Sequence, residues 1–300
     1  MAAVIAILPI FGLIVLGYVL GWRRWLSHDS IGGLSWLTFR VFLPCVLLTG
    51  IARAPLGEAL SPLLLVVYFV PALALFAGFN VWTHWRSGLP SAEGLAASYS
   101  NNVLIGIPMI SALFGPQGLV YLFALLALHS LVMFSTQSLY AALGHGRDKR
   151  PGVLSLLKTL ANPLVVGLLI GALINLADIE LPAPLWQLLD WLARAGLPCA
   201  LIVVGVGLTR YRLRSSLRIW RICLGKLVLM PLLVLALGLA IPGLNPLALQ
   251  VLVLAAANPI GVNVLAFAAP GKEQHTVGAS IFLSTLLAAG TLPLWMLMMG

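Results

Sequence analysis

The chain has 300 residues, of which 61% are hydrophobic and 8% are charged, and its mean hydropathy is +1.06. Ordinary soluble domains carry roughly 25% charged residues, so this composition excludes a soluble globular protein and predicts a polytopic membrane protein. The net charge of +9 would suit a nucleic-acid-binding protein, but the distribution of basic residues along the chain has a topological explanation.

Windows of about 20 mostly apolar residues, bounded by charged residues or by proline and glycine, predict an all-α protein with ten membrane spans. In chain order the spans are 3–20, 31–51, 61–82, 92–114, 118–142, 153–176, 183–208, 216–241, 246–269 and 275–299. The first span does not resemble a cleaved signal peptide, because no basic residues precede it and no small-residue cleavage site precedes Arg23.

The basic residues predict how the spans are oriented. With the N-terminus outside, fourteen of the seventeen Lys and Arg residues fall in or beside the five inner loops, although two of them, Lys158 and Lys226, lie slightly inside predicted helices. Arg53 falls outside, and Arg40 and Arg194 lie within spans. This is the positive-inside pattern. We therefore predict a multi-pass protein of the cell (inner) membrane, with both termini outside and without a nucleic-acid partner.

The second half of the chain repeats the first. Four pairs match in order at offsets of 154 to 156 residues: 9–17 with 163–171, 40–45 with 194–199, Asn102 with Asn258, and Gly115 with Gly271. Such matches predict an internal duplication, with 1–144 and 145–300 as its halves and 144–152 as the linker. Each half contains five spans, an odd number, so the second half enters the membrane in the opposite sense as an inverted repeat.

Two spans contain interruptions at matching places, in span four at 100–108 and in span nine at 257–263. Proline lacks an amide hydrogen and clashes with the preceding turn, and glycine has low helix propensity, so neither helix is expected to continue unbroken. A pair of interrupted helices in corresponding positions points to a transporter's binding site. The predicted substrate-binding residues are Asn101, Asn102, Gly106, Pro108, Asn258, Pro259 and Asn263. The alternative interpretation of each interruption is a structural kink.

The first interruption resembles the signature of the auxin efflux carrier family, approximately Asn-x-Gly-Phe/Leu-Leu-Gly-Ile/Leu-Pro, through Asn101, Gly106 and Pro108. Val103 stands where the family usually has glycine. The second interruption resembles the family's Ala-Pro-x-Ala-x-Asn pattern through Pro259, Gly261 and Asn263. Looser similarity extends over nearly the whole chain.

This resemblance implies a fold of two inverted five-helix repeats, as in bile-acid symporters and sodium–proton antiporters, in which the broken helices four and nine cross. Spans 1, 2, 6 and 7 would form a scaffold, and spans 3–5 and 8–10 a mobile transport unit. The implied function is a permease for a small organic anion, since bacterial members are commonly labelled malonate, malate or other small-carboxylate permeases. We expect it to work by alternating access at the crossing of helices four and nine. Plant members make a homodimer conceivable, and no cofactor or metal is implied.

The eight acidic residues avoid the middle of every predicted span, which argues against a cation exchanger and favours an anionic substrate, although a neutral one would also fit. His129 near the centre of span five is a candidate proton-coupling or ligand group, or else a neutral imidazole bonded to a neighbouring helix. Arg40 is a candidate anion contact, or else it extends toward the membrane interface.

Three alternatives to such a permease differ in mechanism. A sodium-coupled organic-anion symporter of the bile-acid type would use the same fold, but a glutamate is missing around the two interruptions. An intramembrane enzyme finds no support, because HExxH, a membrane aspartate pair and Gly-x-Ser-x-Gly are absent. A passive channel would show a flux that does not saturate with substrate.

Overall fold

A computed structural model describes residues 2–53, 61–144, 163–209 and 216–299. The described residues are predominantly helical, and their only β pairing is one isolated bridge. The α-helices in chain order are α1 (Ala2–Trp22), α2 (His28–Leu37), α3 (Leu43–Ala52), α4 (Pro62–Ser87), α5 (Glu93–Ser98), α6 (Ile107–Gly144), α7 (Pro163–Leu176), α8 (Ala183–Leu208), α9 (Leu217–Leu224), α10 (Met230–Ala240), α11 (Pro246–Ala257) and α12 (Lys272–Met299).

Six helical stretches of the described part are long and apolar enough to cross a membrane, and three apolar helices are shorter. These features fit the predicted polytopic membrane protein, while the ten-span inverted repeat stays a prediction. Two predicted segments lie partly outside the described residues: the sixth span at 153–162 and the linker at 145–152. Seven of the basic residues assigned to inner loops also lie outside them, namely Arg147, Lys149, Arg150, Lys158, Arg210, Arg212 and Arg214.

Local sequence explains where several helices begin and end. The side chains of Ser61, Ser216 and Asn245 accept hydrogen bonds from first-turn amides of α4, α9 and α11. Helix α4 ends at Ser87 and is capped by Gly88, whose φ of 68° suits glycine. Spans four and five were predicted as separate helices, and α6, which covers 107–114 of span four and all of span five, is indeed interrupted between them at Gly115, whose φ of 59° and ψ of −151° are not helical.

Three wide π turns each end two residues before a proline. They are Thr38–Phe42 before Pro44, Asn102–Gly106 before Pro108, and Gly225–Leu229 before Pro231. In an ordinary helix the proline ring would clash with the carbonyl four residues earlier and leave it without a donor. A π turn shifts the hydrogen bond to the fifth residue back, as in Met230 N to Gly225 O, and so lets the helical path approach the proline.

The described residues within Met1–Leu60, Ile107–Ala127 and Leu157–Arg210 form one compact unit. Its helices pack closely at glycines: a Cβ on Gly17 would lie 2.2 Å from the Ile202 carbonyl oxygen, and one on Gly171 would lie 2.6 Å from the Leu48 carbonyl oxygen. The two contacts correspond at the repeat offset, since 171 − 17 and 202 − 48 both equal 154. Small residues at such positions let helix backbones approach each other within a membrane.

The described residues within Ser61–Gly106, Leu128–Leu156 and Tyr211–Gly300 form the second compact unit. It contains α4, α5, the later part of α6, and α9 to α12. Helix α11 is surrounded, with every side chain from Val251 to Ala257 buried. Both predicted interruptions have most of their residues in this unit.

Candidate functional site

The interruption of span four lies earlier than the sequence predicted. Helix α5 ends at Ser98, Tyr99 is extended (φ −90°, ψ 120°), and helical structure resumes at Asn102. The prediction that Gly106 and Pro108 break the helix was therefore wrong. Pro108 lies two residues after the π turn, which makes room for its ring, so the helical path that begins at Asn102 continues through the proline.

The interruption of span nine lies where the sequence placed it. Helix α11 ends at Ala257, and Asn258 adopts φ −58° and ψ 149°, the extended conformation favoured before a proline. After Pro259, residues Val262–Phe267 form a 3₁₀ helix.

The two interruptions pair with each other inside the second unit. Ser100 and Ile260 form an antiparallel β-bridge. The Asn101 amide donates to the Pro259 carbonyl oxygen at 2.8 Å, and the Gly261 amide donates to the Tyr99 carbonyl oxygen at 3.1 Å. Each break thus satisfies backbone groups that the other has freed, as burial in an apolar medium requires. We refer to residues 99–102 and 258–261 as the crossing.

The asparagine side chains join the two halves of the crossing. Asn258 Nδ2 donates to Asn102 Oδ1 at 2.8 Å, and both residues are buried. Gly106 allows this contact because a Cβ there would lie 2.9 Å from Asn258 Nδ2. Gly261 likewise allows the Tyr99 ring to pack closely, because a Cβ added at Gly261 would lie 2.4 Å from that ring. At Gly106 the requirement is therefore space, rather than the low helix propensity on which the sequence prediction rested.

Two polar atoms of the crossing are buried without a hydrogen-bond partner among the described residues. They are Asn101 Nδ2, which is a donor, and Asn258 Oδ1, which is an acceptor. Buried polar groups in proteins are nearly always hydrogen-bonded, and an unsatisfied one calls for an explanation such as a bound ligand. One donor and one acceptor are thus free at the crossing.

His129 is buried next to the crossing and bonded to Tyr68, a residue that the sequence analysis missed. Tyr68 donates to Ser100 Oγ at 3.2 Å and lies 3.2 Å from His129 Nε2. Because the phenol has a single proton, which goes to Ser100, His129 donates from Nε2. Asn102 Nδ2 also reaches the Tyr68 oxygen at 3.5 Å. Tyr68 was missed because nothing distinguishes it locally from other aromatic residues of an apolar helix.

Tyr99 links the crossing to its other neighbours. Its ring stacks on the His129 imidazole with centroids 4.4 Å apart and an interplanar angle of 10°. Its hydroxyl is 2.8 Å from Ser130 Oγ and is also hydrogen-bonded to the side chain of Asn263, which is otherwise exposed. Asn263 therefore contacts the crossing through Tyr99.

Lys226 was assigned by sequence to the edge of an inner loop, but it is completely buried. It lies in the π turn Gly225–Leu229, and its Nζ donates to the carbonyl oxygen of Ala256, near the end of α11. A single lysine within the apolar run between Arg221 and Pro231 was the available signal. A charged residue inside a membrane segment is expensive and usually functional.

The N-terminus of the short helix α5 is held by charged residues. Glu273 Oε1 accepts from the Ala92 amide at 2.6 Å, and Oε2 accepts from the Ala269 amide at 2.8 Å. Glu93 has a fully buried side chain that is paired with Arg218. These contacts anchor α5 to α9 and to the start of α12, and so fix the segment that enters the crossing.

Arg40 and Pro108 belong to the first compact unit. Arg40 is exposed on the turn Thr38–Phe42, outside the hydrogen-bonded network around the asparagines. The same unit has an open cleft of about 490 Å³ lined by Arg53, Ala183, Trp186, Gln187, Asp190, Trp191 and Arg194. Asp190 already neutralises Arg53 there through bonds of 2.8 and 3.0 Å, so the cleft is a weaker candidate for an anion site than the crossing.

The family model described as "Membrane transport protein" matches residues 2–150 and 151–296. The chain belongs to this family. It includes the auxin efflux carriers, so the resemblance seen in the sequence is confirmed. Membership identifies an integral membrane transporter.

Three relatives are similar over nearly the full length of both chains. A Rhizobium meliloti (strain 1021) protein named "Putative malonate transporter" is 28% identical, with 95% of this chain and 92% of the relative covered. An "Uncharacterized transporter" from Methanothermobacter thermautotrophicus is 27% identical, with 96% of each covered. "Uncharacterized transporter YfdV" of Escherichia coli (strain K12) is 25% identical, with 96% and 95% covered.

Proposed function

We propose that this family member is a secondary transporter that carries a small organic carboxylate across the membrane by alternating access, with the substrate bound at the crossing. The observation that carries the proposal is the pair of buried, unpartnered atoms Asn101 Nδ2 and Asn258 Oδ1 on two broken helices. Broken helices that meet within a membrane transporter are where substrates bind.

The chemistry of the crossing favours an acid. Asn101 Nδ2 can donate to a carboxylate oxygen, whereas Asn258 Oδ1 needs a donor, which a protonated second carboxyl group supplies. Among the hydrogen bonds of the described residues around the crossing, the partners are amides, hydroxyls and an imidazole, without a carboxylate that would repel an anion. A short dicarboxylate in its singly charged form matches this pair of groups, and one relative is named for malonate.

Alternating access draws support from the division of the chain into two compact units. The described parts of predicted spans 1, 2, 6 and 7 fall in one unit, and those of spans 3, 8, 9 and 10 in the other. The exception is Ile107–Ala127, expected in the transport unit but grouped with the first unit. The bend at Gly115 lies within this exceptional stretch, and positive-φ glycines are suited to hinge positions.

Purified protein tests the substrate site by thermal unfolding with malonate, and then with other mono- and dicarboxylates. We expect malonate to stabilise the wild type by binding the folded state, and Asn101→Ala and Asn258→Ala to lose most of that stabilisation. Gln274→Ala is the matched control, because its amide is exposed in the same unit. Stabilisation that survives both asparagine substitutions would place the ligand elsewhere.

Reconstituted vesicles test the mechanism. We expect malonate uptake to saturate with concentration and to be accelerated by unlabelled malonate inside the vesicle, since a carrier returns faster when loaded. Flux that rises linearly with concentration, without this exchange, would indicate a channel instead.

A further inference from the structure

The buried Lys226 lies at the free carbonyl end of a broken helix. In a continuous helix the Ala256 carbonyl would accept from the Ile260 amide, but that amide donates instead to Ser284 Oγ at 3.2 Å. Pro259 has no amide hydrogen, so it cannot donate to the Ala255 carbonyl as a residue of a continuous helix would. The break therefore frees carbonyl groups at the C-terminal, partially negative end of α11, and Lys226 Nζ donates to one of them.

The positive charge of Lys226 lacks an ionic partner among the described residues. Their ion pairs are Arg53–Asp190 and Arg218–Glu93, and neither includes it. Glu273, the other carboxylate near this region, is occupied by two backbone amides. The side chains facing the crossing from α4 and α6, Tyr68 and His129, form a hydrogen-bonded pair. One carbonyl and a helix end compensate a buried ammonium only in part, so Lys226, when protonated, gives the crossing excess positive charge.

We propose that the Lys226 ammonium is the built-in cation of the crossing. It occupies the half-helix carbonyl end at which transporters with broken helices bind a coupling metal ion. The tethered charge attracts a carboxylate and makes a coupling sodium ion unnecessary. The role in substrate attraction rests on the proposed function, whereas the role as the occupant of a cation site does not. Asn258 Oδ1, two residues beyond Ala256, is a second oxygen available to a cation that replaces the ammonium.

The test compares purified wild-type protein with Lys226→Ala, without any carboxylate present. Thermal unfolding is followed in sodium chloride and in ammonium chloride, each against choline chloride at equal ionic strength. We expect wild type to respond equally to all three salts. Lys226→Ala opens the carbonyl site, so sodium or ammonium should raise its Tm by about 2 °C or more above choline. Lys272→Ala, an exposed lysine of the same unit, should behave as wild type.

Two results would overturn the inference: a sodium-specific rise of equal size in the wild type, or the same response to all three salts in Lys226→Ala. Where Lys226→Ala is not recovered folded, Lys226→Ser replaces it in the same comparison, since it also vacates the site.

Malonate binding provides a separate arm. Lys226→Met keeps the apolar volume without the charge, so it should need at least tenfold more malonate than wild type for the same rise in Tm. Lys226→Arg keeps a positive charge and should need a smaller increase in malonate. Equal malonate responses in wild type and Lys226→Met would refute the role in attracting the substrate. A wild type that ignores malonate and other carboxylates would refute the proposed function instead, and the salt comparison would still decide the cation site.

Discussion

Replacing Gly106 by alanine tests whether close contact at the crossing matters. An added Cβ would lie 2.9 Å from Asn258 Nδ2 and 3.2 Å from Asn102 Oδ1, whereas ordinary contacts begin at 3.4 Å. The amide of Asn258 must then move by 3.4 − 2.9 = 0.5 Å, which strains its 2.8 Å hydrogen bond to Asn102. The substitution is small, but it falls on the bond that joins the two broken helices.

The expected size of the effect follows from two opposing contributions. Overpacking a buried site by one methyl group costs about 1–3 kcal/mol. Alanine in place of glycine recovers about 0.5–1 kcal/mol of helix propensity. The net loss is about 1–2 kcal/mol, which corresponds to roughly tenfold weaker malonate binding if the strain is felt at the site.

The assay is thermal unfolding of purified Gly106→Ala over a malonate titration. Gly78→Ala is the control, because Gly78 lies within α4 of the same unit and its Cβ would meet nothing within 4 Å. Removing the contacted atom should relieve the strain, so Gly106→Ala should cost less in an Asn258→Ala background. The reasoning would be refuted if Gly106→Ala and Gly78→Ala had the same stability and the same malonate response.

Three further predictions concern the groups around the crossing. Tyr68→Phe removes the hydroxyl that His129 contacts and should lower the stability measured by thermal unfolding by about 1–3 kcal/mol. Tyr121→Phe in the first unit is the control, and an equal loss of stability in both variants would contradict this prediction. His129→Ala should lower malonate uptake, because it removes the imidazole that contacts Tyr68 and stacks on Tyr99; unchanged uptake with an unchanged pH profile would end the coupling hypothesis. Arg218→Ala leaves the buried Glu93 carboxylate unpaired and should lower the stability of the protein by about 1–3 kcal/mol. Adding Glu93→Gln to Arg218→Ala should restore this stability, and a double variant without recovery would show that the ion pair is not the cause.

The sequence was sufficient for features that depend on residue type alone. Its composition identified a membrane protein, and apolar windows located helices such as α8, whose bounds 183–208 match the prediction. Pro259 ended α11 as expected, because a proline and the residue before it restrict the backbone whatever surrounds them.

What only the tertiary structure decided depends on contacts between distant residues. The first break lies at Tyr99–Asn101 rather than at Pro108, because a π turn accommodates the proline and because the extended segment gains hydrogen bonds from the second break. Tyr68 and Lys226 joined the site only through partners 61 and 30 residues away. Residue type limits the local path of a chain, but packing selects which polar groups meet when that path is buried.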